Sequence, residues 1–150
     1  DSFRLPTMDL DAVERGIDVD GEHHIDEIMA AGGVGPGLAL PHLGGWEWAA
    51  RWITGVKGWG LAAVVEPLDE EVFQWFLDFR RSLGMTIIPL GPDAAAQVAT
   101  AALEGKVVCL LCDRDLTGTG VEVDFFGERT TLPAGPAVTE PAVGVLRDAS

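Results

Sequence analysis

One hundred and fifty residues suffice for one domain with a real core, and 47% of them are hydrophobic, which argues against a disordered chain. The formal net charge is −14, from 24 acidic residues against 10 basic ones. That balance argues against nucleic acid as a partner and against purely electrostatic docking on anionic lipid, and it favours solubility.

The chain opens Asp1-Ser2-Phe3-Arg4, without an initiator Met or a signal-peptide pattern, as a processed chain or an excised fragment would. No run approaches the roughly 18 apolar residues of a membrane-spanning helix. Residues 1–24 are polar and acidic and read as an irregular lead-in. Ile25 to Ala31 reads as a short helix closed by Gly32-Gly33, and Gly37 to Leu40 as a short strand. Residues 46–57 read as a helix with Trp48, Ala49, Trp52, Ile53 and Val56 on one face. Leu61 to Val65 is apolar throughout, as a strand buried on both faces requires.

Asp69 is placed to cap a helix running to about Leu83, with Val72, Phe73, Phe76, Phe79 and Leu83 inward and Gly84 as its stop. Thr86 to Leu90 is the next strand, 93–104 an Ala-rich helix opened by Asp93, and Val107 to Cys112 another buried strand. Val121 to Phe126 alternates as a half-exposed strand does; 133–136 reads as a loop and Ala137 to Leu146 as a helix. Strands alternating with helices predict an α/β fold, a largely parallel β-sheet flanked by helices, in a single domain over 1–150. Sites in such sheets gather at the carboxyl ends of strands, where His42, Glu66, Leu90 and Asp113 fall.

His42 precedes Glu47 by five residues across the pair Gly44-Gly45. One reading is a general base held by an orienting carboxylate, with helix-start N–H groups for an oxyanion. The other is a surface His ahead of a Glu that the helix dipole favours. Cys112-Asp113-Arg114-Asp115 ends a strand in three charges. It reads either as an Asp-rich turn or as Asp113 beside His42 with Arg114 facing an anion. Arg80-Arg81 closes a helix, as dipole complement or as a phosphate contact. Pro133-Ala134-Gly135-Pro136 is a helix-entry loop or an anion nest. Three of the five Trp, at 46, 48 and 52, are helix core or the wall of an acyl tunnel.

Cys109 and Cys112, spaced C-x-x-C inside an apolar run, read as buried reduced thiols. Neither they nor Asp113 and Asp115 make a convincing metal site. The chain has no G-x-S-x-G, Walker A or G-x-G-x-x-G signature.

Six ordered motifs go further. They are Leu40-Pro41-His42-x-Gly44-x-Trp46-Glu47, Val65-Glu66-x-Leu68, Phe79-Arg80-x-Ser82-Leu83-Gly84, Val108-Cys109-Leu110-x-x-Asp113-Arg114-Asp115-Leu116, Gly120 to Glu128, and Pro133 to Ala137. Together they resemble the lysophospholipid acyltransferase superfamily of the lipid A lauroyl acyltransferase type, most nearly its actinobacterial phosphatidylinositol mannoside branch. The resemblance implies an acyltransferase-like sheet and transfer of a fatty acyl group from acyl-CoA to a hydroxyl of a membrane glycolipid or phospholipid. It makes His42 the general base, Glu47 its orienter and Asp113 an assisting acid. Arg80, Arg114, Glu66, Gly44, Gly45 and Gly135 become substrate-binding residues.

It implies no bound cofactor and no metal, acyl-CoA being a co-substrate. It also implies peripheral association with the cytoplasmic face of the plasma membrane. Family members are roughly twice this length, and residues 138–150 form a divergent tail, with Pro141 interrupting a helix. The expectation is an incomplete sheet whose exposed apolar surface favours a homo-oligomer. The alternative function is an inactive remnant that binds lipid or acyl-CoA or self-associates.

Overall fold

The computed structural model describes residues 2–66, 70–115 and 118–135. A 3-10 turn, Ser2–Thr7, and α1, Leu10–Arg15, lead into α2, Glu22–Ala31. Then follow β1, Gly37–Leu40; α3, Trp46–Arg51, which widens into a π-turn over Trp52–Val56; and β2, Leu61–Val65. Next come α4, Glu70–Ser82; β3, Met85–Pro89; α5, Ala94–Leu103; and β4, Val107–Leu111. The hairpin strands β5, Val121–Phe125, and β6, Glu128–Leu132, complete the order.

Four strands form one wholly parallel sheet in the order β1-β4-β2-β3. The alternation of side chains across each strand explains why its sequence is apolar throughout. Leu61, Ala63, Val107 and Cys109 enter one core with Leu5, Val13, Ala50, Trp52, Ile53, Leu83 and Met85. Ala62 and Val108 face the other side, against Ile88 and the α5 residues Ala94, Val98, Ala101 and Ala102. The α/β parallel sheet flanked by helices is thus as expected.

Three expectations are corrected. The lead-in is not irregular: Leu5 and Val13 are fully buried, and the Trp48 indole N–H donates to Val13 O at 3.0 Å. Two anchors spaced eight apart among acids show no periodicity, so tertiary packing decides this segment. The helix after Gly45 buries Trp52 and Ile53 as expected, with Trp48 and Val56 half-buried against the same core, but it buries Ala50 and leaves Ala49 half-buried. β5 is exposed on both faces except at Val123, because its sole partner in the second sheet is β6. The sequence reading overlooked β6, whose Glu128-Arg129-Thr130-Thr131 lacks an apolar face. The Asp69 cap and the helix over 137–146 lie outside the described residues. Asp93 does stand before α5, but its side chain makes no capping bond.

Gly35 seats β1. Its N–H donates to Ala102 O at 2.7 Å, and a Cβ there would overlap the Lys106 carbonyl, with the carbonyl carbon of Gly105 at 2.8 Å. Backbone cannot move aside as a flexible side chain does. Gly35→Ala is therefore expected to cost about 1–3 kcal/mol or more, read as a lower urea midpoint at unchanged slope.

Candidate active site

The β1–β4 ladder sets Leu40 opposite Leu111 and continues one step, with Cys112 N–H donating to Leu40 O at 2.9 Å. The next residues on both strands are then brought face to face: His42 and Asp113, 71 positions apart in sequence. The backbone curls tightly at His42, because Leu43 N–H donates to Pro41 O at 2.8 Å. Asp113 uses both oxygens on this one residue. Oδ1 lies 2.5 Å from His42 Nδ1, and Oδ2 accepts the His42 backbone N–H at 3.0 Å. Those bonds, the backbone one foremost, hold the Asp113 carboxyl below the usual carboxylate range. With Nδ1 occupied, Nε2 is the ring nitrogen available to a substrate, and His42 is about one-third exposed.

Glu47 sits in the first turn of α3, and its carboxylate lies 3.7 Å from Arg80 Nη2 on α4, both side chains mostly buried. The bond to the His42 ring comes from Asp113, and Glu47 faces the arginine instead. The Arg80 guanidinium lies 4.7 Å from the Trp46 ring centroid and 5.4 Å from that of Phe76, a cation–π arrangement. Burial pulls the Arg80 pKa down, and Glu47 opposes that. The buried Arg80 Nε has no partner among the described residues.

Beside His42 opens a cavity of about 480 Å³. His42, Glu66, Arg80, Arg114 and Gly135 stand in its wall, whereas Gly44, Gly45, Glu47 and Asp113 stand outside it. Glu66 and Arg114, at the ends of the adjacent strands β2 and β4, approach to 3.7 Å. Much of the remaining wall is apolar: Val64, Val65, Leu90, Leu110 and Leu111 from strands and strand ends, and Ala94, Ala95 and Val98 from α5. Apart from Leu90, already placed at a strand end, these wall residues escaped the sequence reading, where α5 looked only like a packing helix. The signal was its small residues beside a buried strand. Of the tryptophans, Trp46 lines the cavity, while Trp52 belongs to the core.

Asp115, which the sequence left in an Asp-rich turn, accepts the N–H groups of Gly118 and Gly120, each at 2.9 Å. No group of three or more His, Cys, Asp or Glu side chains among the described residues is arranged to hold a metal ion. Cys109 is buried, which pushes its thiol up to about 12. Cys112 is half-buried and is not bonded to it. No helix among the described residues is long and apolar enough to cross a membrane.

A family model described as bacterial lipid A biosynthesis acyltransferase matches residues 1–141. A phosphatidylinositol mannoside acyltransferase of Mycobacterium tuberculosis (strain CDC 1551 / Oshkosh) is 44% identical over 140 residues, covering 90% of this chain and 44% of the relative. The Mycolicibacterium smegmatis protein of the same name is 40% identical over 142 residues, covering 91% of this chain and 46% of the relative. The chain thus spans a little under half the length of the curated relatives it matches.

Proposed function

The chain belongs to the bacterial lipid A biosynthesis acyltransferase family, and from that membership we propose that it carries a fatty acyl group from acyl-CoA to a hydroxyl of a membrane glycolipid of the phosphatidylinositol mannoside kind. The observation that carries the proposal is His42, gripped on Nδ1 by Asp113, at the wall of a largely apolar cavity that also holds two arginines. His42 Nε2 takes the proton of the acceptor hydroxyl as its oxygen attacks the thioester carbonyl. The new ester C–O bond forms, the C–S bond breaks, and the proton passes to the departing CoA thiolate. Asp113, ionised, stabilises the imidazolium in between.

Backbone N–H groups of the Gly44-Gly45 turn stabilise the tetrahedral oxyanion. Gly44 has φ +65°, and nothing lies within 4 Å of where a Cβ would stand, so substrate has room to approach. The apolar wall receives the acyl chain. Arg80 and Arg114 face phosphate, of CoA or of the acceptor head group. Glu66 holds Arg114 in place, and Glu47 holds Arg80. Gly135 lets the chain pass close to substrate. Neither cofactor nor metal enters these steps. A water-soluble acyl donor and a membrane acceptor favour peripheral association, at the cytoplasmic face of the plasma membrane in this reading.

The test is release of CoA thiol from palmitoyl-CoA with a phosphatidylinositol mannoside acceptor, beside calorimetry with palmitoyl-CoA alone. Turnover that requires the acceptor is the expected result. Binding without turnover overturns catalysis and leaves a lipid-binding role. No binding removes both.

A further inference from the structure

Thr119 and Gly120, just before β5, and Pro133 to Gly135, just after β6, stand in the cavity wall. The hairpin therefore rises from the cavity's rim. Its base is tied down by the Asp115 carboxylate, which holds the Gly118 and Gly120 N–H groups. Its far end is Phe125-Phe126-Gly127. Phe125 pairs with Glu128, which leaves a two-residue turn with φ +52° at Phe126 and +83° at Gly127.

Positive φ at both central residues is the type I′ pattern, which favours Asn-Gly. Phe is a poor occupant of that position, and Phe126 is the one non-glycine residue with positive φ among those described. It is also 94% exposed, with Phe125 58% exposed and the two rings edge to face at 4.7 Å. The described residues thus give this aromatic no packing role that would offset its disfavoured backbone.

We propose that the Phe125-Phe126 tip inserts into the surface of a zwitterionic lipid bilayer and so sets the cavity mouth against the membrane. Area argues for lipid over protein. Two rings bury about 150–250 Å² each at most, well short of the roughly 800 Å² per partner of a stable protein interface. Charge sets both depth and lipid type. Glu128 stands across from Phe125 and Asp124 one step below it, followed by the Glu122–Arg129 ion pair at 2.9 Å. A ring of charges stops entry at the phenylalanines. With a net charge of −14, a densely anionic surface would repel the chain, so the acceptor, itself an anionic phosphodiester, is met as a minor lipid of a zwitterionic bilayer. Leu43, next to His42 and 75% exposed, adds apolar surface beside the base. The proposal rests on the acceptor being a membrane lipid, which must reach His42 from the bilayer.

The test is partitioning onto phosphatidylcholine vesicles by co-sedimentation, for wild type, Phe126→Asn and the double variant Phe125→Ala/Phe126→Ala. Asn suits the turn, so the single variant is expected to fold at least as well as wild type, checked by urea midpoint. It should bind vesicles about tenfold more weakly, and the double variant more weakly still. Palmitoyl-CoA titrated without vesicles should bind all three alike, which reports on the cavity independently of the tip. Equal partitioning of Phe126→Asn overturns the proposal, as does a wild type that ignores vesicles. A concentration-dependent dimer abolished by Phe126→Asn also overturns it, making the tip a contact between copies.

Discussion

His42→Ala is expected to lower acceptor-dependent thiol release by about 10²–10⁴-fold while leaving palmitoyl-CoA affinity near wild type. The magnitude follows from the residue's one task. No other imidazole lines the cavity, and the neighbouring acids and arginines are engaged: Asp113 with His42, Glu47 with Arg80, Glu66 with Arg114. Stability should stay within about 0.5 kcal/mol, since the side chain is partly exposed and water replaces it on Asp113. The fall should appear in kcat more than in KM, because proton removal belongs to the transition state. Unchanged turnover would remove His42 as the base. Glu47→Ala makes the informative contrast. Its partner is Arg80, so its effect should fall on substrate affinity and on the fold around α4.

What the residues could announce of this arrangement depended on range. Leu61–Val65 and Val107–Leu111 were legible as strands because burial on both faces removes polar residues altogether. β6 was illegible for the converse reason, since a hairpin exposed on both faces needs no apolar pattern. The strand-end positions of His42, Glu66 and Asp113 followed from the α/β alternation. Their partners did not. H-x4-E suggested a local carboxylate for His42, but the four-stranded sheet places β4, the last of its own strands in sequence, directly beside β1. That adjacency brings Asp113 across from 71 residues away and frees Glu47 to meet Arg80 from α4. Strand order is a property of packing over the whole sheet, so no local spacing carries it.

Asp113→Asn is the sharper experiment, because it keeps the shape and changes only where the protons lie. Asp113 accepts two hydrogen bonds from His42, one per oxygen, from the ring and from the backbone N–H. An amide has one oxygen. If that oxygen stays with the backbone N–H, its NH₂ faces Nδ1 and donates to it. The ring proton then moves to Nε2, and the nitrogen that should take the acceptor's proton already carries one. Loss of the correct tautomer with geometry intact costs on the order of 10⁴-fold in a serine protease triad. A loss of about 10²–10⁴-fold in kcat is expected here, with little change in palmitoyl-CoA affinity.

The double variant with His42→Ala should be hardly worse than His42→Ala alone, since Asp113 acts through the ring. Additive losses would instead give Asp113 a task of its own at the substrate. The pH dependence carries its own sign. Asp113 has a lowered pKa in the folded chain, so its hold on His42 is complete above the ordinary carboxylate range and is lost only as pH falls through that lowered value. The His42 amide resonance, followed by NMR on acidification, should therefore move below the usual carboxylate range in the wild type and stay still there in Asp113→Asn. A wild-type midpoint at or above the ordinary aspartate value would show that the two bonds do not hold Asp113 ionised in solution.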